Sequence, residues 1–165
     1  MRRSTHNMIL PSGSDGFSLI ELLAVLVIIS VTSAFVWSRF GGNAKADLNA
    51  RTDTIKAHLR YAQVRAMDSN RIWGIRYTGS GYSLFSYDGS AESVSRLPDE
   101  EDAVVDLSGS GIGLGSFSVV SFDSWGRPFN NATATGVSIG QTITVFDGSN
   151  PANQIIITRN TGFIP

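Results

Sequence analysis

Hydrophobic and polar positions divide the chain into two regimes. From 17 to 38 there are 22 residues and a single charge, Glu21. Such a run is apolar all round and predicts one helix, about 33 Å long at 1.5 Å per residue. That length matches a bilayer core of about 30 Å. Gly41-Gly42-Asn43 interrupts it, and paired glycines mark a kink or a local stop. From 44 to about 67 a helical pattern resumes. Leu48, Ile55, Leu59, Ala62 and Ala66 share one face, while Arg51, Lys56, Arg60 and Gln63 lie mostly elsewhere. This amphipathic half predicts a stripe packed on a sheet, ended by Asp68-Ser69-Asn70 with Asn70 as a left-handed cap.

At Arg71 the period changes to two. Trp73, Ile75 and Tyr77 fall on one side of a strand. Turns at Gly79-Ser80-Gly81 and Asp88-Gly89 predict a meander through 82–87, with a third strand within 90–97. Segments 103–107 and 117–122 read as strands, joined by a flexible connection through Gly109, Gly111, Gly113 and Gly115. A turn with a large aromatic follows at 123–128. A last hairpin is expected from 142–146 and 154–158 around Asp147-Gly148. The fold class is therefore α+β.

Seventeen glycines against five prolines agree with a turn-rich β domain. The formal net charge of −1 implies no polyanion and no anionic surface as partner. No cysteine is present, which excludes disulfides, thiolate metal sites and a cysteine nucleophile. The two histidines, His6 and His58, are far apart in sequence, and a lone helix histidine of this kind is ordinarily a surface or partly buried residue. The glycine run at 109–115 lacks the lysine of a phosphate loop. Pro98-Asp99-Glu100-Glu101-Asp102 reads as an exposed, solvated acidic loop without calcium-loop spacing. No enzyme, cofactor or metal site is expected.

The stretch Gly16-Phe17-Ser18-Leu19-Ile20-Glu21-Leu22-Leu23, behind a leader with Arg2 and Arg3, resembles the processing site of type IV pilins and type II secretion pseudopilins. The resemblance implies that a prepilin peptidase cuts between Gly16 and Phe17 and methylates the new Phe17 amino terminus. Glu21 then sits one helical turn from that ammonium. Pairing, within the chain or between subunits, offsets the roughly 2.5–3.5 kcal/mol cost of a lone charge in hydrocarbon. Leu59-Arg60-Tyr61-Ala62-Gln63, Phe122-Asp123-Ser124-Trp125-Gly126-Arg127-Pro128 and Thr161-Gly162 are similar to segments of the GspH, FimT and MshC group of minor pilins. The resemblance implies a type IV pilin fold in four parts: a leader at 1–16, a transmembrane and assembly helix at 17–40, an amphipathic half at 41–70 and a β-rich extracytoplasmic domain at 71–165. It also implies a bacterial inner-membrane subunit with its C-terminal domain in the periplasm, assembled into a type IV pilus or a type II secretion pseudopilus. Partners would be the prepilin peptidase, other pilin subunits, the inner-membrane assembly platform and membrane lipid. Some FimT-like subunits bind DNA through a basic tail; here Phe163 replaces the expected arginine, and nucleic acid is not favoured. A competing reading is a β-domain adhesin on an ordinary anchor, or on a signal peptide cut after Thr32-Ser33-Ala34.

Overall fold

The computed structural model describes residues 17–40, 44–115, 117–148 and 150–165. The expected cleavage residue Gly16 and the interruption at 41–43 lie outside the described residues. The chain divides into two compact units, 1–42 and 43–165.

In the first unit, helix α1 runs Leu19–Phe40. Its first turn closes on the Ser18 carbonyl, which accepts from the Glu21 and Leu22 amides at 3.0 and 3.2 Å. Ser30 and Thr32 are polar residues in an apolar helix. Their hydroxyls donate back to the Val27 and Ile28 carbonyls, both at 2.8 Å, so neither seeks an outside partner. Among the described residues no helix is long and apolar enough to cross a membrane.

In the second unit, helix α2 runs Ala44–Ser69. Its buried stripe is Leu48, Thr52, Ile55, Leu59, Ala62 and Ala66, spaced four, three, four, three and four, the period of an amphipathic helix. Thr52 fits because its hydroxyl donates to the Leu48 carbonyl at 2.8 Å. The helix ends at Asn70, which takes the left-handed conformation with φ of 52°, as its amide side chain favours. At this end the Arg65 guanidinium lies 4.8 Å over the Trp73 ring, and the Trp73 indole donates to Ser69 Oγ at 2.7 Å.

Among the described residues nine strands follow: β1 Ile72–Tyr77, β2 Gly81–Tyr87, β3 Glu92–Ser95, β4 Val104–Asp106, β5 Ile112–Gly115, β6 Val119–Phe122, β7 Pro128–Phe129, β8 Gln141–Asp147 and β9 Asn150–Ile157. One antiparallel sheet has the order β3-β2-β1-β6-β7, with β4 also on β2; a second has the order β5-β8-β9. Ile75 sits opposite Leu84 on one side and Val120 on the other. All three are almost fully buried. Helix α2 packs on β1, β6 and β9 and so covers both sheets. Ile143, Val145, Ile155 and Ile157 complete the core from the second sheet.

The glycine run departs from expectation. Instead of a flexible connection, 108–115 forms a short 3-10 turn, Ser108–Ser110, and then β5. Ile112 and Leu114 alternate inward while Gly113 and Gly115 face out, and β5 pairs with β8. The third strand is also shorter than the 90–97 segment, spanning Glu92–Ser95.

Candidate functional site

The amino-terminal site is built by α1 and the residues just before it. Phe17 is 80% exposed, and Leu19, Ile20, Leu22, Leu23 and Leu26 are each more than half exposed. Every residue from 17 to 34 is exposed. Apolar side chains on all faces of a helix require an apolar surrounding, whether lipid or other helices. Phe17 and Glu21 are four positions apart, hence about one turn. Among the described residues Glu21 makes no ion pair. Its carboxylate remains open to a partner supplied from outside the described chain.

A second arrangement lies on α2, where Gln63 gathers the carboxyl end of the chain. Its Nε2 donates to the Gly126 carbonyl at 2.9 Å and to the Thr161 carbonyl at 3.0 Å. One turn earlier, Arg60 donates to the Ile164 carbonyl at 2.9 Å. The 123–128 turn is held by the Asp123 carboxylate, which accepts from the Trp125 and Arg127 amides at 3.0 and 2.9 Å. The Arg127 guanidinium closes the same carboxylate at 2.6 Å. Gly126 (φ 74°) and Gly162 (φ 62°) adopt left-handed conformations, and a Cβ on Gly162 would fall on the Gly126 carbonyl oxygen. Glycine is required there on both counts. Sequence reasoning singled out these segments by resemblance and assigned them no role; their role is to fasten a turn and the chain end to α2.

On the other flank of α2, the loop at 98–102 folds against Thr54, Ala57, His58 and Tyr61, leaving a cleft of about 470 Å³. His58 is buried, against the surface or partly buried placement expected for it. The Tyr82 hydroxyl bonds its Nδ1 at 2.9 Å. Burial holds the imidazole pKa below its ordinary value, opposed by Glu100, the Pro98 carbonyl and Asp99. A histidine bonded into the core in this way is a structural group. Asp99, Glu101 and Asp102 are exposed, and Glu100 is half-buried. Among the described residues no cluster of metal-ligating side chains occurs.

An amino-terminal helix followed by an antiparallel β-sheet domain is the architecture of the type IV pilin fold. Residues 12–37 match the model of the prokaryotic N-terminal methylation motif, and residues 51–162 match that of the type II transport protein GspH. The second match takes in well over half of the 165 residues, and the chain belongs to the GspH family. That family is structural rather than catalytic, and its N-terminal motif implies a membrane-anchored, pilin-like subunit. No curated protein and no solved structure matches the chain significantly.

Proposed function

We propose that the chain is a minor pilin or pseudopilin subunit, cut between Gly16 and Phe17 by a prepilin peptidase and methylated on the Phe17 amino terminus. The segment 17–40 then holds it in the bacterial inner membrane with the C-terminal domain in the periplasm. Extraction into a pilus or pseudopilus follows, with α1 packed among neighbouring helices and no reaction catalysed. The observation that carries this is the methylation-motif match at 12–37, which overlaps a helix, Leu19–Phe40, whose residues from 19 to 34 are all exposed.

Glu21 gives the assembly step its chemistry. Cleavage creates an ammonium at Phe17, and in a layer with little water that cation needs an anion. The carboxylate of a neighbouring subunit supplies it and sets the axial stagger between them. Mass spectrometry of the mature protein tests the reading. The expected chain begins at N-methyl-Phe17, and Gly16→Leu leaves the precursor uncut. A mature chain beginning at Met1 or Phe35 overturns it in favour of an ordinary anchor or signal peptide.

A further inference from the structure

The chain end is fastened to α2 by a donor with no proton to spare. Gln63 Nε2 donates to the Gly126 carbonyl at 2.9 Å and to the Thr161 carbonyl at 3.0 Å. An amide nitrogen of this kind carries two protons, so its capacity is full. A further strong acceptor brought to this nitrogen takes a proton from one of the two carbonyls. Thr161 gives way first, because it is exposed and water replaces its partner, whereas Gly126 is buried.

Met67, one helical turn beyond Gln63, stands at that point. A Cβ on Gly126 would meet Met67 Sδ at 3.0 Å and Gln63 Nε2 at 3.1 Å, so sulfur and amide border the same spot beside the turn. A thioether is a weak acceptor and leaves the bonds of Gln63 undisturbed. Met67 is 49% exposed, and a small oxidant in solution reaches it. The full chain has no cysteine and three methionines, Met1, Met8 and Met67. In a chain that starts at Phe17, as proposed above, Met67 holds the sole sulfur.

We infer that Met67 is a modification site, where oxidation to the sulfoxide by a peroxide loosens the chain end from α2. A sulfur lone pair attacks one peroxide oxygen, and the O–O bond breaks. Sulfur keeps that oxygen and gives up two electrons; the other oxygen takes the proton of the first and leaves as water. The new oxygen is a strong acceptor one bond from a sulfur that borders Gln63. It takes the proton that Gln63 gave to Thr161. The last turn of the chain is closed by the Thr158 amide on the Phe163 carbonyl and the Gly162 amide on the Thr158 carbonyl, both at 2.9 Å. Released from Gln63, that turn opens more often. The change is reversible, because methionine sulfoxide reductases return the oxygen as water while two thiols become a disulfide.

Hydrogen exchange of the full-length chain in detergent micelles tests this, with and without hydrogen peroxide at a dose that adds one oxygen to the Met67 peptide. Loss of one hydrogen bond should speed exchange at the Thr158 and Gly162 amides about fivefold. Reductases for both sulfoxide epimers, supplied with dithiothreitol, should reverse it. Met67→Leu, which keeps Met1 and Met8, should show no acceleration by peroxide. Gln63→Leu should exchange fast before peroxide and no faster after it. A Met67 that stays unoxidised, sulfoxide formation without faster exchange, or equal acceleration in either variant overturns the inference. The Met67 peptide is read whatever the amino terminus, so failure of processing at Phe17 and failure of this inference are told apart.

Discussion

Replacing Gln63 by Glu inverts the chemistry at the point where three segments meet. The Gln63 amide gives both its protons to carbonyl oxygens, Gly126 at 2.9 Å and Thr161 at 3.0 Å. An ionised carboxylate there has no proton to give and faces two acceptors. Losing two hydrogen bonds of about 1 kcal/mol each removes about 2 kcal/mol. The Gly126 carbonyl belongs to a buried residue and is costly to leave unpaired, whereas Thr161 is exposed and regains water. Repulsion brings the loss for Gln63→Glu to about 3 kcal/mol at pH 7, and Gln63→Leu, without the charge, costs about 2 kcal/mol. For a domain of this size each kcal/mol lowers the melting temperature by roughly 4 °C. The pH dependence separates the two variants. The carbonyls favour the protonated acid, so the folded pKa of the introduced carboxyl rises above the unfolded value of about 4.3. The folded state then binds more protons in that window, and stability recovers as pH falls through it. Thermal and urea unfolding of the full chain in detergent micelles, at pH 7 and pH 4, measures both effects. A Gln63→Glu protein as stable as wild type at pH 7, or one with the same deficit at both pH values, would refute the role given to Gln63.

Leu59→Ala removes a side chain with no exposed surface, and unfolding of the domain should show a loss of about 3–5 kcal/mol. His58→Gln should flatten the acid limb of the stability curve. Burial lowers the folded pKa of His58, so its contribution is complete above the unfolded pKa of about 6.5 and is lost as pH falls below it; equal slopes for wild type and variant between pH 7 and 5 would count against this. Glu21→Gln should be inserted, cut after Gly16 and folded in its domain, yet fail to co-purify with filament partners, because breaking a buried pair costs about 3–5 kcal/mol. Unchanged co-purification would leave Glu21 without a special part in assembly.

Periodicity made α2 legible. Leu48, Ile55, Leu59, Ala62 and Ala66 repeat at helical spacing and are all buried, and Asn70 closes the helix as its side chain allows. The last hairpin was equally plain, because Asp147-Gly148 separates two apolar alternations. Strand β5 was not read, although Ile112 and Leu114 alternate inward as a strand requires. The glycines that alternate with them, Gly113 and Gly115, look like flexibility in a sequence, and only pairing with β8 reveals that they leave room for it. Pairing of β1 with β6 was invisible for a related reason: apolar alternation identifies a strand and says nothing of its neighbour. The glycines at 126 and 162 stood inside segments resembling the family, but the Gln63 bonds that gather them, to the Gly126 and Thr161 carbonyls, span 63 and 98 residues of chain. No local pattern encodes such a meeting. At the amino terminus Phe17 and Glu21 were singled out by resemblance to a processing site, and the partners proposed for them are contributed by other molecules.

The fastening of the chain end to Gln63 also sets a timetable. Ninety-eight residues separate Gln63 from Thr161, and synthesis proceeds at about 5–20 residues per second. The stripe of α2 therefore emerges roughly 5–20 s before the segment that closes over its last turns. Within that interval β1 and then β6 become available to cover the stripe, and the contacts with Gln63 form only afterwards. A nascent chain that stalls or is clipped within its last few residues has completed both sheets and still lacks its clasp. Anything attached beyond 161–164 therefore weighs on the contacts with Gln63 and Arg60, which form after both sheets are complete.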